Sequence, residues 1–161
     1  MNANVIRPAR VAAEIAEVRT LFLEYADSLD FDLCFQGFDD EIADFPGRYA
    51  PPAGELLLAE IDGAIAGAVG ARPLDDGACE MKRLYVRPDF RGRDIGRRLA
   101  VAIVDWARRA GYRTMRLDTL GSMAVAQALY RELGFRPIGA YYDNPKDDLF
   151  YFELELTPPA E

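Results

Sequence analysis

Arg91-Gly92-Arg93-Asp94-Ile95-Gly96-Arg97-Arg98-Leu99 organises the chain around it. It joins an apolar strand-like run, Glu80 to Val86, to a helical run from Gly96 to about Ala110. Two glycines and a dense set of arginines stand where a strand turns into a helix. Backbone N–H groups and the positive end of the helix would converge there on an anion. A Gly/Arg-rich turn is also compatible with a solvated connection, so the flanking segments have to decide.

Outward from the loop, the pattern alternates strands and helices. Leu99, Ile103, Trp106 and Ala110 recur at helical spacing, and Gly111 closes that helix. Thr114 to Thr119 reads as a strand, Ser122 as an N-cap, Ala124 to Leu133 as a helix stopped by Gly134, and Arg136 to Tyr141 and Leu149 to Leu156 as two last strands. Upstream, Leu56 to Ile61 and Ala64 to Ala71 flank Asp62-Gly63, the pair that supplies the positive-φ turn of a hairpin, and Cys79 to Val86 adds a third strand. The N-terminal third offers a short strand at Val5 to Arg7, a helix from about Ala12 to Ser28, and a short acidic helix from Asp39 to Phe45 stopped by Pro46. The order β, α, α, β, β, β, α, β, α, β, β predicts a single α+β or mixed α/β layer with helices on both faces.

Composition narrows the function. At 161 residues, half of them apolar, the chain has the size of one domain with a proper core. It has no histidine, which removes His-based triads and His-containing zinc sites, and Cys34 and Cys79 form no CxxC pair, so no metal site is expected. Two isolated cysteines and no recognisable leader point to a reducing cytoplasm, and no apolar run is long enough to span a membrane. Between Lys82 and Arg116, eleven basic residues stand against three acidic ones, a segment charge of +8 in a chain of net charge −8, so the remainder carries −16. A basic island in an acidic protein suits a compact polyanionic ligand held locally and disfavours nucleic acid. For Arg108, Arg109, Arg113 and Arg116, a solvated helix face is the alternative.

The strand Glu80-Met81-Lys82-Arg83-Leu84-Tyr85-Val86, the following Arg87-Pro88, the Arg91–Gly96 loop, the long helix and Ala128-Leu129-Tyr130-Arg131-Glu132-Leu133-Gly134-Phe135 together resemble the GNAT superfamily of acyl-CoA N-acyltransferases. The family's loop reads Arg/Gln-x-x-Gly-x-Gly/Ala and its later helix Ala-x-x-Leu-Tyr-x-x-x-Gly-Phe. The resemblance covers about residues 55 to 156, and the N-terminal third matches in element order. It implies an α/β (α+β) fold, one domain over 1–161 built on a mostly antiparallel mixed sheet of six to seven strands splayed in the middle. Residues 1–54 would supply the first strand and the acceptor-side helices, 55–135 the cofactor-binding core, and 136–156 the C-terminal strands.

The resemblance also implies acetyl-CoA as cofactor. Backbone groups of Leu84, Tyr85 and Val86 would pair with the pantetheine arm as with an added strand, although the same residues also serve as ordinary core strand. Arg91, Gly92, Arg93, Asp94, Ile95, Gly96 and Arg97 would surround the pyrophosphate, and Ser122, Met123, Ala126 and Tyr130 would follow the thioester end. N–H groups at a helix start bind a pyrophosphate without any particular side chain, and the arginines add charge-assisted bonds. Asp94 stands where the family has its first glycine. Asp tolerates a left-handed φ, so the loop's shape survives if the carboxylate turns outward. Leu120 and Met123 replace asparagines common before the later helix.

An N-acyltransferase takes a proton from an ammonium and returns one to the coenzyme A thiolate. By similarity, Glu80 is the candidate base and Tyr130 the candidate acid. Glu80 could equally be a glutamate paired with Lys82 or Arg83, and Tyr130 a core tyrosine with its hydroxyl satisfied elsewhere. Cys79 invites a ping-pong route, but without histidine to activate it a buried inert thiol fits better. Tyr25, Phe31, Phe35, Tyr141 and Tyr142, with Phe38, Asp143, Asn144 and Phe150 nearby, are candidates for the acceptor pocket, and the phenylalanines serve as well for core packing. The expected function is direct acetyl transfer to a primary amine on a small molecule, peptide or protein. A silent acyl-CoA-binding module is the alternative; no membrane or nucleic-acid partner is expected, and a homodimer is compatible with the sequence.

Overall fold

A computed structural model describes residues 4–29, 37–121, 123–142 and 149–156. Phe31, Phe35, Ser122, Cys34, Asp143 and Asn144 lie outside the described residues. The chain runs β1 (Asn4–Pro8), α1 (Ala12–Asp27), α2 (Phe38–Ala43), β2 (Glu55–Ile61), β3 (Ala64–Pro73), β4 (Ala78–Val86), α3 (Ile95–Ala110), β5 (Thr114–Leu120), α4 (Ala124–Glu132), β6 (Arg136–Ile138) and β7 (Leu149–Glu155), with single 3-10 turns at Gly47–Tyr49 and Pro88–Phe90. The seven strands form one sheet in the order β1-β2-β3-β4-β5-β7-β6. All pairings are antiparallel except β4 with β5.

Local chemistry explains the elements. Asp62 and Gly63 take φ 51° and 84° and turn β2 back into β3. At the start of α1, Glu14 accepts hydrogen bonds from the backbone N–H groups of Arg10 and Val11. The buried stripe of α3 runs through Ile95, Leu99, Ile103 and Ala107 with Ala100 and Val104 beside it. It is rotated from the expected face: Ala110 is exposed, and Trp106 sits at the margin against Tyr112, because the sheet below claims the i, i+4 row that begins one residue into the loop.

Two cores sandwich the sheet. One packs α3 and Tyr130 of α4 against Leu57, Val69, Met81, Met115, Leu117 and Phe152. The other packs α1 and α2, through Val18, Leu21, Phe22, Phe38 and Ile42, against Leu56, Leu58, Ala68 and Tyr85. No helix among the described residues is long and apolar enough to cross a membrane.

The pairing of β4 with β5 positions the site. It lasts three residues, Ala78 with Thr114, Cys79 with Met115 and Glu80 with Arg116, and beyond it the strands separate. On its other edge β4 carries a bulge: Ala68 pairs with Tyr85 and Gly70 with Lys82, so three steps of β4 answer two of β3. Arg83 takes up the extra residue at φ 62°. Met81, Leu84 and Val86 therefore face the α3 core, while Arg83 meets Glu41 of α2 and Tyr85 joins the α1 core.

Candidate active site

The gap between β4 and β5 opens into a cleft of about 910 Å³, floored by Met81–Val86 and Leu117–Thr119 and walled by the start of α3 and by α4. The open edge of β4 is what an extended ligand needs to add as a strand. At one end stand Arg91, Gly92, Asp94, Ile95, Gly96 and Arg97; at the other, Tyr25, Ser28, Lys82, Arg83, Asp118 and Tyr130.

The loop end is shaped for an anion. Gly92 has φ 81°, and Asp94, immediately before α3, has φ 63° and ψ 17°. Arg98 N–H donates to the Asp94 carbonyl at 3.1 Å, which closes the first turn and leaves the preceding amides outside the helical ladder. Among the described residues no side chain caps that turn. The Asp94 carboxylate is exposed and pairs with Arg97 Nε at 3.3 Å, so it turns aside from the amides. Arg91 donates from Nε to the Val86 carbonyl at 3.0 Å and lies over the Tyr85 ring. Arg93 stacks on Phe90 and does not line the cleft. Arg97 also pairs with Glu132 of α4 across the cleft mouth.

At the inner end the hydroxyl of Tyr130 faces the cleft. The ring is buried against Phe135 and Phe152, at centroid distances of 5.8 and 6.3 Å. Among the described residues no buried side-chain oxygen or nitrogen lacks a partner, and nothing hydrogen-bonds this hydroxyl, so it borders open space. Burial, and then the neighbouring Tyr25 and Asp118, push its pKa well above the usual tyrosine value. Tyr130 keeps its proton at neutral pH, as a donor to a leaving thiolate must.

Glu80 is placed differently. It is 3% exposed, lies behind the cleft wall, and accepts hydrogen bonds from Arg72 Nε at 3.0 Å and from the Tyr141 hydroxyl at 2.6 Å. Burial works to raise its pKa, but the Lys82 and Arg72 charges and the two hydrogen bonds outweigh it and hold the carboxyl below its usual range. Lys82, on the same face two residues on, lies 3.9 Å from Glu80 and 3.5 Å from Asp118. Asp118 also accepts the Tyr142 hydroxyl at 2.6 Å. Of the acceptor-pocket candidates, Tyr25 lines the cleft, while Tyr141 and Tyr142 stand behind it holding carboxylates. Met123 and Ala126 line it, with Leu84, Tyr85 and Val86. Cys79 is fully buried in the core, where burial and then the adjacent Glu80 push its thiol up to about 12. Such a thiol is a poor nucleophile.

Among the cleft residues not expected from the sequence, Lys82 and Asp118 carry charge. The signal was there: Arg116, Asp118 and the apolar Met115 and Leu117 alternate along one strand, so two charged side chains had to share the face opposite the α3 core.

The Acetyltransferase (GNAT) family model matches residues 16–135. The chain belongs to the GNAT acetyltransferase family. It is 37% identical over 154 residues to an uncharacterized N-acetyltransferase of Schizosaccharomyces pombe, covering 94% of each chain. A GNAT-family acetyltransferase from Staphylococcus aureus superposes with a TM-score of 0.78 at 20% identity, over 96% of this chain and 100% of that one. A putative acetyltransferase from Salmonella typhimurium, solved with its cofactor acetyl-CoA, superposes with a TM-score of 0.75 at 22% identity, over 99% and 97%. This GNAT enzyme is an acetyl-CoA-dependent acyltransferase, and GNAT acetyltransferases act on amine acceptors. Its residues fit that donor: open helix-start amides for a pyrophosphate, an unpaired strand edge for the pantetheine arm, and a protonated Tyr130 at the inner end.

Proposed function

We propose that this GNAT acetyltransferase passes an acetyl group directly from acetyl-CoA to a primary amine while both occupy the cleft, with Tyr130 as the acid that protonates the departing thiolate. The observation that carries the reading is the Tyr130 hydroxyl, held by a buried ring and opening on the cleft opposite the separated end of β4. Arg91, the amides of Gly92 to Gly96 and Arg97 would hold the pyrophosphate, and Leu84 to Val86 the pantetheine arm. Met123 and Ala126 would flank the arm from the α4 side. Direct transfer is supported by the position of Cys79, which is sealed in the core and has no path to the thioester. Glu80 enters this chemistry from behind the cleft wall, where Arg72 and Tyr141 hold it. The acceptor end, with Tyr25 on one side and Lys82, Arg83 and Asp118 on the other, suits a small amine, an amino acid or a peptide terminus.

Tyr130→Phe tests the assignment. Turnover, read as coenzyme A release, should fall about 10-fold to 100-fold while acetyl-CoA binding measured by calorimetry stays within about twofold. Full turnover by the phenylalanine variant would remove Tyr130 from the acid role. Acetyl-CoA binding without coenzyme A release on a broad amine panel would favour the silent-module reading.

A further inference from the structure

Three carboxylates line the cleft among the described residues: Asp94, Glu132 and Asp118. Asp94 and Glu132 are both tied to Arg97 at the mouth, where the donor's phosphates would lie. Asp118 alone of the three stands at the inner end. Its strand explains its position: Asp118 is two residues past Arg116, the last residue of β5 to pair with β4, and it lines the cleft that opens where the strands part. Charged and titratable groups flank it away from the cleft opening: Lys82 with Glu80 from β4, Tyr141 and Tyr142 from the segment after β6, Tyr151 from β7, Tyr25 from α1 and Tyr130 from α4.

Glu80 lacks this access. Arg72 and Tyr141 occupy its oxygens, and Lys82 stands between it and Asp118. A carboxylate so engaged has little need of a further proton and no open side from which to take one.

We propose that Asp118 is the catalytic carboxylate that meets the acceptor ammonium and takes its proton, and that Glu80 is a positioning residue that acts through Lys82. The inference rests on the transferase reading above. Asp118 takes one proton from the ammonium; the neutral nitrogen bonds to the thioester carbonyl carbon as the C–S bond breaks, and Tyr130 gives its phenol proton to the leaving sulfur. The nitrogen's second proton restores the Tyr130 phenol, its third stays on the amide, and Asp118 releases its proton to water as the products leave. Lys82 and the Tyr142 hydroxyl fix the carboxylate's orientation, and Glu80 with Arg72 and Tyr141 fixes Lys82.

The test is coenzyme A release between about pH 5.5 and 9.5 with acetyl-CoA and whichever of ethanolamine, spermidine, L-aspartate or an alanine-initiated hexapeptide the wild type uses best. Asp118→Asn, which keeps an acceptor for Tyr142, should lower kcat/KM about 100-fold at pH 7, with acetyl-CoA affinity unchanged, and the deficit should narrow towards pH 9.5 as solution supplies more of the neutral amine. Asp118→Glu should recover part of the rate, and Glu80→Gln should lower the rate by a factor that stays the same across the pH range, because the proton acceptor is still in place. An Asp118→Asn enzyme with normal kcat/KM, or with a deficit that does not change with pH, would overturn the assignment to Asp118 while leaving the transferase reading in place. A wild type that binds acetyl-CoA and releases no coenzyme A with any of the four probes would overturn the transferase reading, and this inference with it.

Discussion

Asp94 holds a left-handed backbone that glycine adopts at no cost and other residues adopt at about 1 kcal/mol or more. Its carboxylate, one residue from the amides that face the cleft, is kept aside by Arg97. Both facts predict the same outcome for Asp94→Gly. The loop keeps its shape, a negative charge leaves the phosphate end, and acetyl-CoA should bind about twofold to fivefold tighter by calorimetry, with the gain shrinking at high salt. Equal or weaker binding by the glycine variant would mean that the Asp94–Arg97 pair helps to build the loop. The anion-binding shape of this loop was legible in the sequence because it needs only backbone and arginines. The direction of the Asp94 side chain was not, since it depends on Arg97 one turn along the helix.

At the scale of elements, α3 carries the cleft's phosphate end and is held by one apolar row. Leu99 and Ile103 are fully buried beneath it, against β2, β3 and β4. Leu99→Ala should cost about 2–5 kcal/mol of stability, read by denaturant unfolding, and should weaken acetyl-CoA binding only as far as the first turn of α3 shifts. A loss under about 1 kcal/mol would mean that the helix relaxes into the gap. Helix and strand positions followed from periodicity because burial on one face imposes a period that survives in the sequence. The rotation of the α3 stripe and the bulge at Arg83 did not follow. Both are set by the neighbouring strands: the bulge exists because β3 and β4 pair with unequal counts, which no single segment records.

Across the whole molecule, a charged layer lies between the two cores. Arg72 and Arg83 converge on Glu41, Arg72 also reaches Glu80, and Lys82 links Glu80 to Asp118. Burial opposes ionisation of Glu41 and Glu80, but the adjacent cations outweigh it and lower both pKa values below the usual 4.5. A carboxyl lowered on folding adds stability that is complete above its unfolded value and is lost as pH falls through its folded one. The melting temperature should therefore hold from pH 7 to about pH 5 and drop below about pH 4.5. Glu80→Gln should melt lower than the wild type at pH 7, because it leaves buried cations under-paired, and should show a shallower acid drop. A wild-type profile flat to pH 3 would show that these pairs add nothing to stability.

The sequence by itself determined the order of elements, the strand–loop–helix cradle and the presence of Tyr130, because each rests on short-range pattern: hydrophobic period, a Gly/Arg turn, a helix motif. Which carboxylate meets the cleft followed from packing between distant segments. Glu80 and Asp118 both sit on strands at alternate, charged positions, and the sequence treats them alike. They differ because β4 and β5 stay paired through Glu80 and Arg116 and part immediately after, which seals the first carboxylate among Arg72, Lys82 and Tyr141 and leaves the second lining the cleft.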